Sequence, residues 1–236
     1  MRGLRCVVFN GRMPSAAIPD RPVTSARHAR LAVLGHEDDD FATALIDAFT
    51  HTGRHVQRLD PESLSAVAQE FHESLDVIFM TLPWAILNEC LPGMAAPALS
   101  EVVVVVCTAA LVPDEQGFFM ADIDGGSVTR FVAGALRQSR VVGAFNQFAA
   151  EHIALAGLGT LESDVPVIGD DREATDLVEE LIDELTGFES VYAGGLQTAE
   201  VVEGLAAIVH QVGLQRHHPV GFRLNNIHAG GLRILD

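Results

Sequence analysis

The chain has no lysine: its fifteen basic residues are all arginine, and they face 32 acids for a formal charge of −17. Such a surface repels a phosphodiester backbone and an anionic bilayer alike, which argues against nucleic acid and membrane surfaces as partners. No apolar run approaches the ~20 residues that a spanning helix needs. The longest, EVVVVVCTAALV at 101–112, is flanked by acid and proline and reads as a buried strand. Cysteine is scarce too. Cys6, Cys90 and Cys107 form no CxxC and have no histidine at metal-ligand spacing, so they read as reduced thiols of a cytoplasmic protein, and no metal site is expected. GxSxG, HExxH and P-loop motifs are absent, which leaves hydrolase and NTPase readings without support.

What is present suits one soluble core with a small appendage: 236 residues, 48% of them hydrophobic. Residues 1–30 carry Pro14, Pro19 and Pro22, show no period and are basic. They read as a disordered extension, with an over-extended start of translation as the alternative.

From Leu31 strands and helices alternate. LAVLG is a strand, FATALIDAFTHTG an amphipathic helix closed by Gly53, and HVQRLD a second strand ending at Asp60. A helix over PESLSAVAQEFHES leads to strand LDVIFMTLP, stopped by Pro83; WAILNEC starts a helix that Pro92 and Gly93 break. EVVVVVC, RVVGAF, DVPVIG and ESVYAG continue the sheet, separated by helices over SVTRFVAGALRQ and REATDLVEELIDELTG, and a last helix runs from about Thr198 to Gln215. This alternation predicts an α/β fold, a doubly wound parallel sheet of Rossmann type with a C-terminal helix. The domains expected are a dinucleotide-binding unit over 31–195 and a helical segment over 196–236. That last helix is apolar around most of its circumference, which demands cover from a dimer partner or from the pocket.

Ligands of such sheets lie outside the carboxyl ends of the strands. The Val141–Ile153 stretch brings a buried strand to a turn at Asn146, which as a helix N-cap or an amide-binding group suits that edge. His217 and His218 are adjacent, point apart and read as surface residues. Asp122, Asp124 and Ser127 lack EF-hand spacing and read as a polar turn.

In order, LAVLG, LDVIFMTLPW, EVVVVVCTAALV, RVVGAFNQFAAEHI, DVPVIGDDREATDLVEELIDELTGFESVYAGGL and GFRLN resemble the NADPH-dependent reductases of the deazaflavin coenzyme F420, over about residues 31–225. The AFN turn, the V-x-GDD-x-EA segment and AG-x-L are the specific matches. The resemblance implies NADP and F420 as cofactor and co-substrate, direct hydride transfer, a homodimer, and no acid, base or nucleophile from the protein. By the same resemblance Thr81, Leu82 and Pro83 lie beside the adenosine and ribose, and Ala144, Phe145 and Asn146 against the nicotinamide. Gly194, Gly195 and Leu196 fall near the deazaflavin, with Gly195 where the family commonly has proline.

The sequence departs from the pattern at the phosphate loop. Gly35 is followed by His36-Glu37-Asp38-Asp39-Asp40-Phe41-Ala42, so only the first glycine remains, and Ala42 alone can serve the third glycine's packing role. A carboxylate roughly 6 Å from a phosphate charge costs on the order of 0.7 to 3 kcal/mol. The same aspartates can instead cap the helix and fill the positive end that a phosphate would use. Arg58 and Asp60, two positions apart on one strand face, leave NADP and NAD both open. Two functions follow: an NADP-dependent oxidoreductase with F420 or a similar flat acceptor, or a non-catalytic Rossmann-fold binding protein that has lost the dinucleotide.

Overall fold

A computed structural model describes residues 22–61, 75–91, 99–115, 117–123 and 125–225. All but the first residue of the expected helix over 61–74, the Pro92–Gly93 break, Asp124, residues 226–236 of the C-terminal segment and most of the N-terminal extension lie outside them. Strand β1 (Leu31–Leu34) is buried at every residue, and its side chains alternate between two cores. Leu31 and Val33 pack with Phe49, Phe79 and Val105, whereas Ala32 and Leu34 pack with Ile78, Met80 and Val104. A strand covered on both faces needs an apolar residue at each position, the pattern of a sheet with helices on both sides.

Helix α1 (Asp40–His51) returns the chain to β2 (Val56–Leu59), and β3 (Val77–Met80) then pairs with the other side of β1. The chain therefore reverses its direction of travel between β1 and β3, which opens a crevice at their carboxyl ends. Helix α2 (Trp84–Cys90), β4 (Val103–Val106), a hairpin of β5 (Leu111–Asp114) and β6 (Gly117–Met120), helix α3 (Val128–Ala135) and β7 (Arg140–Gly143) follow. Then come α4 (Ala150–Gly157), β8 (Ser163–Gly169), α5 (Arg172–Asp183), β9 (Phe188–Gly194) and α6 (Ala199–Arg216). The seven-stranded sheet has the order β2-β1-β3-β4-β7-β8-β9.

The doubly wound architecture is as expected, with two differences. The sheet is mixed: β8 pairs antiparallel with β7 and β9 runs parallel to β8. The connection from β7 leaves and re-enters at the same edge, so it makes no crossover. The β5–β6 hairpin was not anticipated, because Pro113 inside β5 demotes that stretch as a strand.

Helix α6 is anchored by Glu203, whose fully buried carboxylate accepts the Val128 and Thr129 backbone N–H groups at 2.8 and 2.9 Å and the Thr129 hydroxyl at 2.7 Å. It thereby caps α3 from outside and satisfies N–H groups that have no partner within that helix. Burial pushes the Glu203 carboxyl up, and the donated hydrogen bonds oppose the rise. The outer face of α6 is not covered: Val201 and Ile208 are 76% and 61% exposed. Among the described residues no helix is long and apolar enough to cross a membrane.

Candidate functional site at the carboxyl edge of the sheet

The first turn after β1 is shaped by Asp39. It caps α1: its Oδ1 accepts the N–H groups of Phe41 and Ala42 at 3.0 and 3.1 Å. Its Oδ2 accepts the Thr81 hydroxyl across the crevice at 2.6 Å. Thr81 stands at the end of β3, with its N–H on the Leu34 carbonyl at 3.0 Å. A Cβ at Gly35 would lie 2.5 Å from Thr81 Oγ1 and 2.7 Å from Asp39 Oδ2, so only glycine fits. Ala42 is fully buried against the core, in the packing role expected of it. Helix-end N–H groups are the ordinary anchor of a pyrophosphate, and here a carboxylate of the chain itself takes two of them. Of the four acids in the run, Asp39 does this; Glu37, Asp38 and Asp40 are exposed.

On the β2 side, Arg58 donates to the His36 carbonyl and to the Thr43 hydroxyl, each at 2.7 Å. The His36 ring lies 3.8 Å from the Asp60 carboxylate. Arg58 and Asp60 thus converge on His36, as their shared face requires. Thr43 is a participant that sequence reasoning missed, because an exposed helix threonine carries no signal of its own.

Leu82 is fully buried, and its carbonyl accepts the Thr108 hydroxyl at 2.7 Å, so only its backbone is near the edge. Pro83 is the N-cap residue of α2, and Trp84 packs edge-on to Phe131 at 5.0 Å between ring centroids. Ala144 and Phe145 are fully buried. Phe145, at φ 62°, makes the turn after β7; a non-glycine residue in this left-handed region is strained by about 1 to 2 kcal/mol. Its ring is fixed between Phe148 and Phe188, at 6.3 and 5.6 Å.

Asn146 departs from one expectation: it does not cap the following helix, whose N-cap residue is Ala149. Its Nδ2 instead donates to the carbonyls of Val106 and Thr108 at 3.0 and 3.1 Å, joining the end of β4 to the turn after β7. Its Oδ1 is buried without a hydrogen-bond partner among the described residues. Buried amide oxygens are rarely left so.

Across the carboxyl edge the order is therefore Arg58 on β2, Gly35 and Asp39 after β1, Thr81 after β3, Thr108 after β4 and Asn146 after β7. From β1 to β7 is three strand spacings, about 14 Å. The Gly194–Leu196 turn stands apart from the crevice. Ile168 pairs with Gly143 on one side and Gly194 on the other, so Gly194 is two strand spacings, about 10 Å, beyond β7. Leu196 donates its N–H to Asp170 at 2.8 Å, which closes that turn against the start of α5.

No cluster of three or more metal-ligating side chains occurs among the described residues. Cys107 is buried at the end of β4, and burial, aided by the Asp39 charge, pushes its thiol well above the usual range, so it is not poised as a nucleophile. A cavity of about 920 Å³ lies elsewhere, at the amino ends of β1 and β2.

No protein-family profile matches the chain. An F420-dependent NADP reductase of Methanothermobacter marburgensis is 26% identical over 206 residues, 84% of this chain and 91% of that protein. One from Methanocaldococcus jannaschii is 24% identical over 156 residues, 64% of this chain and 69% of its own length. In fold, the chain resembles a crystal structure from Arthrobacter sp. FB24, provisionally designated an F420-dependent NADP reductase, with a TM-score of 0.70 and 15% identity over 84% of this chain and all of that one. A reductive aminase of Aspergillus terreus in complex with NADPH shares the fold at a TM-score of 0.51 and 15% identity, over 82% of this chain and 64% of that one. These relatives lend no support to the non-catalytic alternative. By sequence the chain is similar to F420-dependent NADP reductases, which are oxidoreductases, and by fold it is similar to NADPH-binding proteins of the Rossmann type.

Proposed function

We propose that the chain transfers hydride between NADP(H) and coenzyme F420 at the carboxyl edge of the sheet. The observation that carries this reading is Asn146: an amide held by two main-chain carbonyls, with its own oxygen buried and free to accept, suits the carboxamide of a nicotinamide ring. At the other end Arg58, steadied by the His36 carbonyl and Thr43 hydroxyl, is the group for a ribose phosphate, which favours NADP over NAD. Between them the residues do not fit a pyrophosphate as they stand, because Asp39 holds the Phe41 and Ala42 N–H groups; rotation of that one side chain clears the cradle.

The nicotinamide supplies the hydride when bound. The chain's part is to orient and to exclude water. Asn146 fixes the ring amide, and rigid Phe145 and small Ala144 form the wall behind it. Direct hydride transfer asks for no acid or base from the chain. In this reading Gly194, Gly195, Leu196 and the helical segment 196–236 bound the deazaflavin side, and unit 31–195 holds the dinucleotide. The bare Val201 and Ile208 stripe of α6 meets its equal in a homodimer, and the scarcity of cysteine fits the cytoplasm. Ile208→Asp is expected to yield a monomer in analytical ultracentrifugation.

Titration of the protein with NADPH, NADH and F420, followed by mixing of reduced and oxidised partners, tests the reading. Reduction of F420 by NADPH, and not by NADH, is expected. Failure of the wild type and of an Asp39→Gly variant to bind any of the three would overturn it.

A further inference from the structure

We infer that the cavity at the amino edge of the sheet binds a small phosphorylated ligand, at a site separate from the carboxyl-edge crevice. The cavity of about 920 Å³ is bounded by Ala29, Arg30 and Leu31 entering β1, by the turn from Thr52 to His55 after α1, and by Gln57, Leu75 and Glu184. That volume falls within the usual range of small-molecule sites.

Its lining is richer in cations than the chain. Acids outnumber arginines 32 to 15 overall, yet among the described residues three arginines, Arg27, Arg30 and Arg54, stand here with the two carboxylates of Glu184 and Asp76 that pair with two of them, and His28 and His55 lie beside them. Two of the guanidinium groups are held in place. Arg54 makes two hydrogen bonds to Glu184 at 2.5 and 2.6 Å, and Arg30 two to Asp76 at 2.9 and 3.1 Å. A guanidinium has five N–H donors, so Arg54 keeps donors to spare after its carboxylate is served. Arg27, also in the lining, is exposed and makes no ion pair among the described residues. The buried side chains of Leu31 and Leu75 supply an apolar floor. Fixed guanidinium planes beside an apolar floor match an organic phosphate: an oxyanion that accepts paired N–H bonds, carried on a body that prefers to leave water.

Calorimetric titration with inorganic pyrophosphate at low salt tests the site without reference to the redox reaction. Arg27→Ala is expected to weaken binding about tenfold, the ordinary effect of losing a charge-assisted hydrogen bond. Glu184→Gln removes a carboxylate from the lining and is expected to tighten it several-fold. Both changes are at the surface, and an unchanged melting temperature confirms that each variant is folded. Arg58→Ala, at the other edge, leaves this binding as it was. No binding at millimolar pyrophosphate, an affinity indifferent to both Arg27→Ala and Glu184→Gln, or a loss confined to Arg58→Ala would each overturn the inference.

Discussion

Asp39 carries the sharpest prediction. For a pyrophosphate to reach the start of α1, the Asp39 carboxylate must give up the Phe41 and Ala42 N–H groups and the Thr81 hydroxyl, at 3.0, 3.1 and 2.6 Å. Loss of an N-cap costs about 0.5 to 2 kcal/mol. The displaced carboxylate then stands some 6 Å from the incoming phosphate charge, a further cost of roughly 0.7 to 3 kcal/mol at an effective dielectric between about 80 and 20. Asp39→Asn keeps a capping oxygen and removes the charge, so NADPH affinity should rise about threefold to a hundredfold. Asp39→Gly removes the competing oxygen as well and should gain at least as much, since glycine is itself a tolerated N-cap. Glu37→Gln and Asp38→Asn alter exposed charges that hold no helix N–H group, so their gains should stay near twofold at moderate salt. The assay is equilibrium titration of NADPH fluorescence at two salt concentrations. Equal affinities for wild type, Asp39→Asn and Asp39→Gly would refute the view that this side chain competes with the coenzyme.

Asn146→Ala should lower kcat more than it raises KM for NADPH, because the amide positions the reacting ring; steady-state kinetics separates the two, and an unchanged kcat would remove Asn146 from the site. Glu203→Ala leaves the Val128 and Thr129 N–H groups buried without an acceptor and should destabilise the protein by about 2 to 4 kcal/mol, whereas Glu203→Gln retains one acceptor and should lose less, as read from urea unfolding midpoints. The His152 imidazole is held down to about 4 by burial, with the His210 ring beside it adding to the effect. Between that value and the 6.5 of the unfolded chain, the unfolded state binds more protons, so stability must fall as pH drops through this window. His152→Gln should flatten that slope, and an unaltered pH profile of melting temperature would contradict it.

The central strands were legible because burial on both faces forces unbroken Val, Ile and Leu runs, as at Val103–Val106, and because Gly53 and Gly187 mark helix ends with positive φ. Strand direction was not legible. Nothing in the composition of Ser163–Gly169 distinguishes a strand that returns antiparallel from one reached by a crossover. At the candidate site, Gly35 and Asn146 were singled out by their places at strand ends and Thr81 by the family resemblance. The run of acids announced a disturbed phosphate loop but could not say which residue fills it; that depends on Thr81, 42 residues away, closing on one carboxylate. Of the two roles open to Asn146, the cap is not the one taken, because the bend belongs to Phe145 and the amide serves β4.

The central claim is that the edge from Arg58 to Asn146 aligns a nicotinamide with a second flat redox ring so that hydride passes directly between them. A single turnover with NADPH deuterated at the transferred position, followed by mass spectrometry of the reduced F420, tests it most directly. Deuterium retained in the F420 product is the predicted result; product that carries only solvent hydrogen, or none formed even with Asp39→Gly, would contradict it.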